Sequence, residues 1–242
     1  MSGDDRTQMA YQGKHAMISY AHREKSEMII DICQSFALDN GAFSAWKAGF
    51  EFDIEGFHSW LLSLYRHPGF DWYVIPDVIG GSEEDNKSMQ EQWHTLCKGT
   101  DLWNKGYVVW HPHESLDRLK YFTTAFTGVC FGGSDEYDID SPKWWARMLE
   151  AMDVVTDDQG RPKVPLHGLR LLNIDIFTKL PLKSADSTNA SRHCGSPERW
   201  KGAYIPMSIS QRALVIMDRI EHFNSAPNWC GDNVVPMNGT LF

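Results

Sequence analysis

The stretch Trp72-Tyr73-Val74-Ile75-Pro76-Asp77 decides the fold that this sequence predicts. A short, continuous apolar run is typical of a parallel β-strand that is buried on both faces. The run ends in a carboxylate, and Ser82-Glu83-Glu84-Asp85 then resembles a capping box, which predicts a helix to about Cys97. The unit is therefore a strand, a polar turn and a helix.

The same unit recurs along the chain, and strands that alternate with helices favour a parallel sheet. Ser141-Pro142 predicts a cap and a first-turn proline before a helix at Trp144–Met152. A last amphipathic helix is expected from about Ser208 to Phe223. The predicted strands lie near Met17–Tyr20, Phe36–Leu38, Trp72–Pro76, Tyr107–Trp110, Thr127–Phe131, Val164–Leu166 and Leu180–Ser184, with an eighth near Tyr204–Met207.

This strand count predicts an α/β fold, a TIM-type (β/α)8 barrel that is complete or lacks a strand, rather than an open doubly wound sheet. A length of 242 residues suits one large domain. We therefore expect a single barrel domain over 1–242, with the barrel core at about 15–190 and a C-terminal loop and helix at 191–242.

The five cysteines are scattered and odd in number, which argues against a disulfide framework and indicates a reducing, cytoplasmic compartment. The first residues lack the apolar run of a signal peptide. No apolar stretch approaches the ~20 residues that span a bilayer, so no membrane association is expected.

The net charge of −9 counts against nonspecific binding of a polynucleotide. A local basic patch is still compatible with that charge. The best candidates for nucleic-acid binding are Lys183, Arg192, Arg199 and Lys201, although most clusters of this kind are solvated loops.

Three carboxylates, Asp39, Asp77 and Asp186, follow predicted strands, at the end where parallel barrels build their active sites. The alternative interpretation of each aspartate is a helix cap or a turn former. Three carboxylates around one pocket suit cleavage of a glycosidic bond, because one traps or stabilises the sugar cation and a second moves the leaving group's proton. A third can accept the paired N–H donors of a guanine-like edge.

Five motifs resemble the tRNA-guanine transglycosylase superfamily, and they are most similar to its short phage and bacterial members that insert 7-deazaguanine bases into DNA. The resemblance runs in order from about Met17 to Arg192. The motifs are Asp39-Asn40-Gly41-Ala42-Phe43, Pro76-Asp77-Val78-Ile79-Gly80, Gly132-Gly133, His167-Gly168 and Ala185-Asp186-Ser187-Thr188.

The resemblance implies a role for each matched residue. Asp186 is expected to be the nucleophile that attacks the sugar C1′, Asp39 the general acid/base, and Asp77 the reader of the Watson–Crick edge. The base is expected to lie between Phe43 and His167. The backbone of Gly132 and Gly133 is expected to contact the carbonyl oxygen of the base.

Two departures from the family pattern are visible. The strand-four glutamine of the family has no counterpart, since Trp110-His111 stands there, and His111 becomes a candidate substrate-binding residue. The zinc subdomain of the tRNA enzymes is also missing. His193-Cys194, with His222 and Cys230 far along the chain, lacks the spacing of a structural zinc site, so neither a metal nor a cofactor is expected.

The leading functional hypothesis is therefore a pentosyltransferase that exchanges guanine in DNA, rather than in tRNA, for a free 7-deazaguanine base through an aspartyl intermediate. The target base must leave the duplex stack, and with this net charge a partner protein is a candidate for supplying the grip on DNA. One alternative is a glycosylase or nucleosidase that removes a modified base by hydrolysis, for repair or anti-phage defence. Another is a non-catalytic module that binds nucleic acid or a nucleobase.

Overall fold

The computed structural model describes residues 10–188 and 204–231. The chain divides into two compact units, Met1–Val109 and Trp110–Phe242. A single domain over 1–242 stays a prediction. Among the described residues, no helix is both long enough and apolar enough to cross a membrane.

The first unit alternates strands with helices. Its strands are β1 (His15–Ser19), β2 (Ser35–Asp39), β3 (Phe70–Val74) and β4 (Gly106–Trp110), the last of which ends on the first residue of the second unit. Its helices are α1 (Ser26–Ile32), α2 (Ala42–Ala48), α3 (Ile54–Leu64) and α4 (Glu83–Leu96). Two 3-10 turns, Tyr20–Lys25 and Leu102–Lys105, complete it.

The second unit continues the alternation. Its strands are β5 (Val129–Phe131), β6 (Leu166–Gly168) and β7 (Ser184–Ala185). Its helices are α5 (Leu116–Ala125), α6 (Pro142–Val155), α7 (Ile174–Phe177) and α8 (Ile209–Glu221).

All the strand pairs described within each unit are parallel, and each strand pairs with the next along the chain. In the first unit Ser19 lies opposite Asp39, and Val74 lies opposite Tyr107. In the second unit Gly168 lies opposite both Phe131 and Ala185. Within each unit this order has no reversal, whereas a doubly wound sheet reverses its order at one point. The predicted α/β class with parallel strands is confirmed.

Prolines lie within three of the predicted strand segments that differ from the structure. Strand β6 begins at Leu166 rather than Val164, because Pro165 has no N–H for a sheet ladder. Strand β7 begins after Pro181 and holds two residues, Ser184 and Ala185. The eighth strand near 204–207 is wrong: these residues are described and form no strand, and Pro206 lies among them.

Helix starts follow the capping chemistry that the sequence predicts. The Ser82 side chain accepts a hydrogen bond from Asp85 N, and the Asp85 carboxylate accepts one from Ser82 N, so the capping box is present. Ser141 caps α6 ahead of the first-turn proline, and Ser208 caps α8 by accepting from Gln211 N. The caps at Ser82 and Ser141 begin the helices that follow β3 and β5 in the chain.

Aromatic side chains fill much of the core in each unit. In the first unit Phe57 stacks on Trp93 with ring centroids 5.4 Å apart, and the Trp93 indole N–H donates to the Tyr73 hydroxyl at 3.0 Å. In the second unit Trp110 and Phe131 meet edge to face at 5.8 Å. Pairs of this geometry add to the stabilisation that burial gives. The core therefore fixes the strands whose carboxyl ends carry the polar loops.

Candidate active site

Asp39 is the last residue of β2 and is half-buried. Its Oδ2 accepts a hydrogen bond from Gly41 N at 3.2 Å. Gly41 has a φ of 76°, and a Cβ built on it would lie 2.9 Å from Ala21 N. The turn after β2 therefore requires glycine both for its backbone conformation and for its space.

Asn40 joins the loop after β2 to the loop after β3. Its Nδ2 donates to Ile75 O at 3.2 Å and to the Asp77 Oδ1 at 3.0 Å, and its Oδ1 accepts from Ala42 N at 2.8 Å. Asn40 and Asp77 are both buried. A neutral amide thus holds a buried carboxylate in position. Sequence reasoning gave no role to Asn40, although the residue stood inside a quoted motif.

The loop after β3 is also held from its other side. Asn86, at 1% exposure, accepts a hydrogen bond from Val78 N at 2.8 Å and donates to Ser82 O at 3.3 Å. The first turn of α4 therefore supports the residue that follows Asp77. Hydrogen bonds thus hold Asp77 on a short, constrained loop.

Phe43 lies in the first turn of α2 and is half-buried. Its ring centroid is 5.6 Å from that of Trp46, which is 53% exposed. An aromatic surface therefore follows the Asp39–Gly41 turn directly in the chain. Aromatic faces of this kind stack on nucleobases.

In the second unit His111 follows β4 and is buried. Its Nδ1 lies 2.7 Å from Gly133 O. A carbonyl oxygen only accepts, so Nδ1 carries the hydrogen in this contact. Gly132 N donates to Trp110 O at 2.8 Å, which anchors the Gly132-Gly133 loop to the end of β4.

The turn from His111 to Glu114 is built around a buried carboxylate. Glu114 is fully buried, its Oε2 accepts from His111 N at 2.9 Å, and its Oε1 lies 3.1 Å from Arg118 Nε. Burial raises the pKa of Glu114, and the hydrogen bond from His111 and the charge of Arg118 oppose that rise. Arg147 closes the turn from outside by donating to Pro112 O and Glu114 O, at 2.8 and 2.6 Å.

Glu114, Arg118 and Arg147 were missed by sequence reasoning. The available signal was the four-residue spacing of Glu114 and Arg118 across the Ser115 cap of α5, which places opposite charges on one side of a helix start. The sequence carried no sign that Arg147, on α6, contacts the same turn.

His167 and Asp186 belong to a network of hydrogen bonds at the ends of β6 and β7. His167 Nε2 lies 3.3 Å from Asp186 Oδ1, and His167 Nδ1 lies 2.9 Å from Ser184 Oγ. The same Oδ1 accepts a hydrogen bond from Arg170 N at 2.9 Å. The side chain of His167 is 3% exposed and that of Asp186 is 28% exposed. The carboxylate is therefore reached by solvent while the imidazole behind it is not.

The backbone around Asp186 is fixed as well. Asp186 N donates to Gly168 O at 3.2 Å, and Leu172 N donates to Asp186 O at 3.1 Å. Arg170 has a φ of 62°, an uncommon conformation for a residue other than glycine. This conformation belongs to the turn that presents Arg170 N to the carboxylate. Backbone strain of this kind concentrates at functional sites.

The candidate nucleic-acid residues, and the histidines and cysteines whose spacing argued against a zinc site, are only partly described. Lys183 is exposed, whereas Arg192, Arg199, Lys201, His193 and Cys194 lie outside the described residues. His222 and Cys230 are both exposed. Within 10–188 and 204–231, no group of three or more His, Cys, Asp or Glu side chains is arranged to hold a metal ion.

Among the predicted site residues the structure joins His111 to Gly133 and His167 to Asp186, and it joins Asp77 to Asn40, which follows Asp39 in the chain. Comparisons of the chain with protein-family models, curated proteins and solved structures found no match. The geometry of these loops and the motif resemblance are therefore what indicate a function.

Proposed function

We propose that this chain is a DNA transglycosylase of the TIM-type barrel class, related to the tRNA-guanine transglycosylases. It replaces guanine in DNA with a free 7-deazaguanine base through a covalent bond to Asp186. The observation that carries the proposal is the Asp186 carboxylate at the end of β7. One of its oxygens is held by two donors, and the side chain remains open to solvent.

The chemistry asks for a carboxylate that attacks a sugar carbon and later leaves it. Asp186 fits because its Oδ1 is bound to Arg170 N and His167, which orients the group. An oriented nucleophile gains rate because it reaches the reacting atom without a search through rotamers. The ester that forms splits one difficult displacement into two easier ones.

The motif resemblance assigns the other two roles to Asp39 and Asp77. Asp39, half-buried at the end of β2, is the general acid that protonates the departing guanine and the general base for the incoming one. Asp77 is buried, and Asn40 satisfies its Oδ1. A buried, fixed carboxylate is the acceptor that the adjacent N–H donors of a guanine edge require.

The hydrogen bonds of the Gly132-Gly133 loop indicate which of its backbone groups can donate to the base carbonyl. Gly132 N is already bound to Trp110 O, and Gly133 O is bound to His111. The backbone N–H of Gly133 is therefore the donor that we assign to the base. His111 holds this loop in place and stands where the family has a glutamine. Phe43 provides one stacking face for the base.

DNA is the proposed macromolecular substrate, with the target base extruded from the stack. Extrusion costs a few kcal/mol, which favours single-stranded or distorted sites. The net charge of −9 supports a partner protein that contributes contacts to the DNA backbone. Among the described residues, Lys183 is the candidate for a phosphate contact near Asp186 in the chain.

The deciding experiment offers the protein DNA with radiolabelled guanine, with and without a free 7-deazaguanine base. Release of label that depends on the free base is the expected result. Release without the free base, leaving abasic sites, would identify a glycosylase instead. No release from DNA, tRNA or nucleosides would identify a binding module and end the proposal.

The nucleophile is tested by Asp186→Asn, which keeps the shape of the side chain and removes the attacking charge. We expect the covalent protein–DNA adduct to disappear on denaturing gels and turnover to fall by about 10⁴-fold. Asp175→Asn is the matched control, because Asp175 is an exposed aspartate in the same unit. It should keep both adduct and turnover. An adduct that survives in Asp186→Asn would remove Asp186 as the nucleophile.

A further inference from the structure

Ser184, His167 and Asp186 form a continuous hydrogen-bonded chain at the ends of β6 and β7. The imidazole lies between the other two side chains, with its Nδ1 2.9 Å from Ser184 Oγ and its Nε2 3.3 Å from Asp186 Oδ1. Gly168 and Ala185 are opposite each other in the parallel register, and so are His167 and Ser184. The register of one strand pair therefore sets the whole contact.

The partners of the imidazole determine where its hydrogen lies. A carboxylate oxygen only accepts, so Nε2 of His167 carries the hydrogen and donates to Asp186. In the neutral ring Nδ1 is then the acceptor, and the Ser184 hydroxyl donates to it. Ser184 thus selects the tautomer that faces Asp186 with an N–H group. The opposite tautomer would point a lone pair at a carboxylate.

The two oxygens of Asp186 have different surroundings. Oδ1 accepts from both His167 and Arg170 N, whereas no residue within the described part of the chain donates to Oδ2. Rotation of the carboxylate would break both hydrogen bonds at once. The two donors therefore decide which oxygen is held back and which is presented.

We propose that His167, in the tautomer selected by Ser184, is a positioning residue that makes Oδ2 of Asp186 the attacking oxygen. This proposal rests on the proposed function and assigns an atom and a supporting pair to it. His167 acts on the sugar only through Asp186. Because the imidazole is buried, it holds the Asp186 carboxylate in one orientation, which a solvated side chain would not do.

The reaction defines what the network must do in each half. In the first half Oδ2 forms a bond to C1′, the C1′–N bond breaks, and the leaving base takes the electron pair and a proton from Asp39. Oδ1 becomes the carbonyl oxygen of the ester. In the second half the incoming base gives its proton to Asp39 and bonds to C1′ as the C1′–Oδ2 bond breaks. The electron pair returns to the carboxylate, where donors to Oδ1 stabilise it.

The main test replaces His167 by Leu, which keeps an apolar side chain of similar bulk and removes the donor. We expect adduct formation in a single turnover to slow by about 10- to 100-fold, the size of effect that loss of an orienting partner gives. The KM for DNA should change less than about threefold, because His167 contacts the carboxylate rather than the backbone of the substrate. If His167 had only a structural role, His167→Leu would lower the amount of folded protein, and the folded fraction would form the adduct at the wild-type rate.

His167→Gln tests the donor itself. A glutamine amide N–H reaches close to the position of imidazole Nε2, so this variant should recover most of the lost rate. Ser184→Ala should lose less than His167→Leu, since it removes the tautomer control and keeps the donor. Equal rates in the wild type and in both His167 variants would refute the positioning role while leaving Asp186 as nucleophile.

The matched control is His15→Leu. His15 is an exposed histidine whose Nδ1 also contacts a serine hydroxyl, Ser35 Oγ at 2.7 Å. It lies at the amino end of β1, where no reacting group is proposed, so its rates should match the wild type. Circular dichroism on every variant separates lost folding from lost positioning. If His167→Leu does not fold, the comparison of His167→Gln and Ser184→Ala with the wild type still decides the question.

Two further outcomes separate this inference from the proposed function. In ¹⁵N NMR of the wild type, the His167 ring should have a protonated Nε2 and a bare Nδ1, and the reverse would overturn the positioning role without any activity measurement. Ser184, His167 and Asp186 also show the hydrogen-bond pattern of a serine hydrolase triad with the ring nitrogens exchanged. Labelling of Ser184 by a fluorophosphonate, with no adduct at Asp186, would overturn both proposals together.

Discussion

The amino ends of strands in the first unit and the carboxyl ends of strands in the second hold the same three residue types in different order. In the amino-end network, His15 contacts Ser35 at 2.7 Å, and Ser35 donates to Asp71 at 2.9 Å. The serine is central, and its hydrogen goes to the carboxylate. His15 must therefore donate through Nδ1, which is the opposite tautomer to that of His167.

In the carboxyl-end network, the histidine is central, and Ser184 and Asp186 lie on its two sides. The amino-end network faces water, which competes for each of its hydrogen bonds and leaves them little net stabilisation. Water cannot replace the partners of the buried His167 side chain. A hydrogen bond that is not made there costs about 1–3 kcal/mol. Burial of the central residue, rather than the types of residue present, therefore determines whether such a network holds its side chains in one arrangement.

A large contrast is expected between the two ends of β3, since one aspartate lies near each end. Asp71 is exposed near its amino end, and Asp77 is buried beyond its carboxyl end. Asp77→Asn should reduce kcat/KM for guanine release by about 100-fold, because an amide presents the wrong groups to a guanine edge. Asp71→Asn should change kcat/KM less than about twofold, as expected of an exposed substitution that touches no reacting group.

The measurement compares release of guanine with release of other purines from otherwise identical DNA. Asp77→Asn should reduce the preference for guanine more than it slows cleavage of the other bases. Equal losses on every base would contradict the recognition role and would place Asp77 in the bond-breaking step. A large effect of Asp71→Asn would break the comparison between the two ends of the strand.

Local chemistry in the sequence was enough to predict much of the scaffold. The capping box and the first-turn proline depend on residues within one turn, so Ser82 and Ser141 predicted their helices correctly. Short apolar runs likewise predicted the parallel strands. Pro165 shifted the start of β6, because a missing N–H outweighs apolar character at a strand start.

Contacts between distant residues could not be predicted in this way. The bridge from Asn40 to Asp77 depends on the side-by-side pairing of β2 and β3, and the contact from His167 to Asp186 depends on the register of β6 and β7. A one-residue change of register would face these side chains to the opposite side. The motifs named candidate residues, but the strand register determines which of their atoms meet.

Two glycines with left-handed backbone conformations should differ by an intermediate amount when each is replaced by alanine. Gly41, at the carboxyl end of β2, has no room for a Cβ, whereas Gly13, before β1, has nothing within 4 Å of that position. Gly13→Ala should cost about 1 kcal/mol, the strain of a side chain at positive φ. Gly41→Ala should cost about 2–3 kcal/mol, since the contact with Ala21 N adds to that strain. Urea denaturation of each variant measures the difference, and equal losses would show that the turn after β2 can widen without cost.

The smallest effect concerns Asp53, an exposed carboxylate that caps α3. The hydrogen bonds from Gly56 N, at 2.9 Å, and from the Tyr20 hydroxyl, at 2.8 Å, hold the pKa of Asp53 below its ordinary value of 3.8. Its folded-state pKa is lowered, so its charge stabilises the fold above pH 3.8 and loses that effect as the pH falls through the folded-state pKa.

Asp53→Asn keeps an oxygen for the cap and removes the charge. The wild type should exceed it in free energy of unfolding by less than about 1 kcal/mol at neutral pH, because solvent screens an exposed carboxylate. That gap should close as denaturation is repeated at pH values below 3.8. Asp71→Asn, measured in parallel, corrects for the loss of one surface charge. If the difference in free energy of unfolding persists in strong acid, the stabilisation comes from the shape of the cap and not from the charge of Asp53.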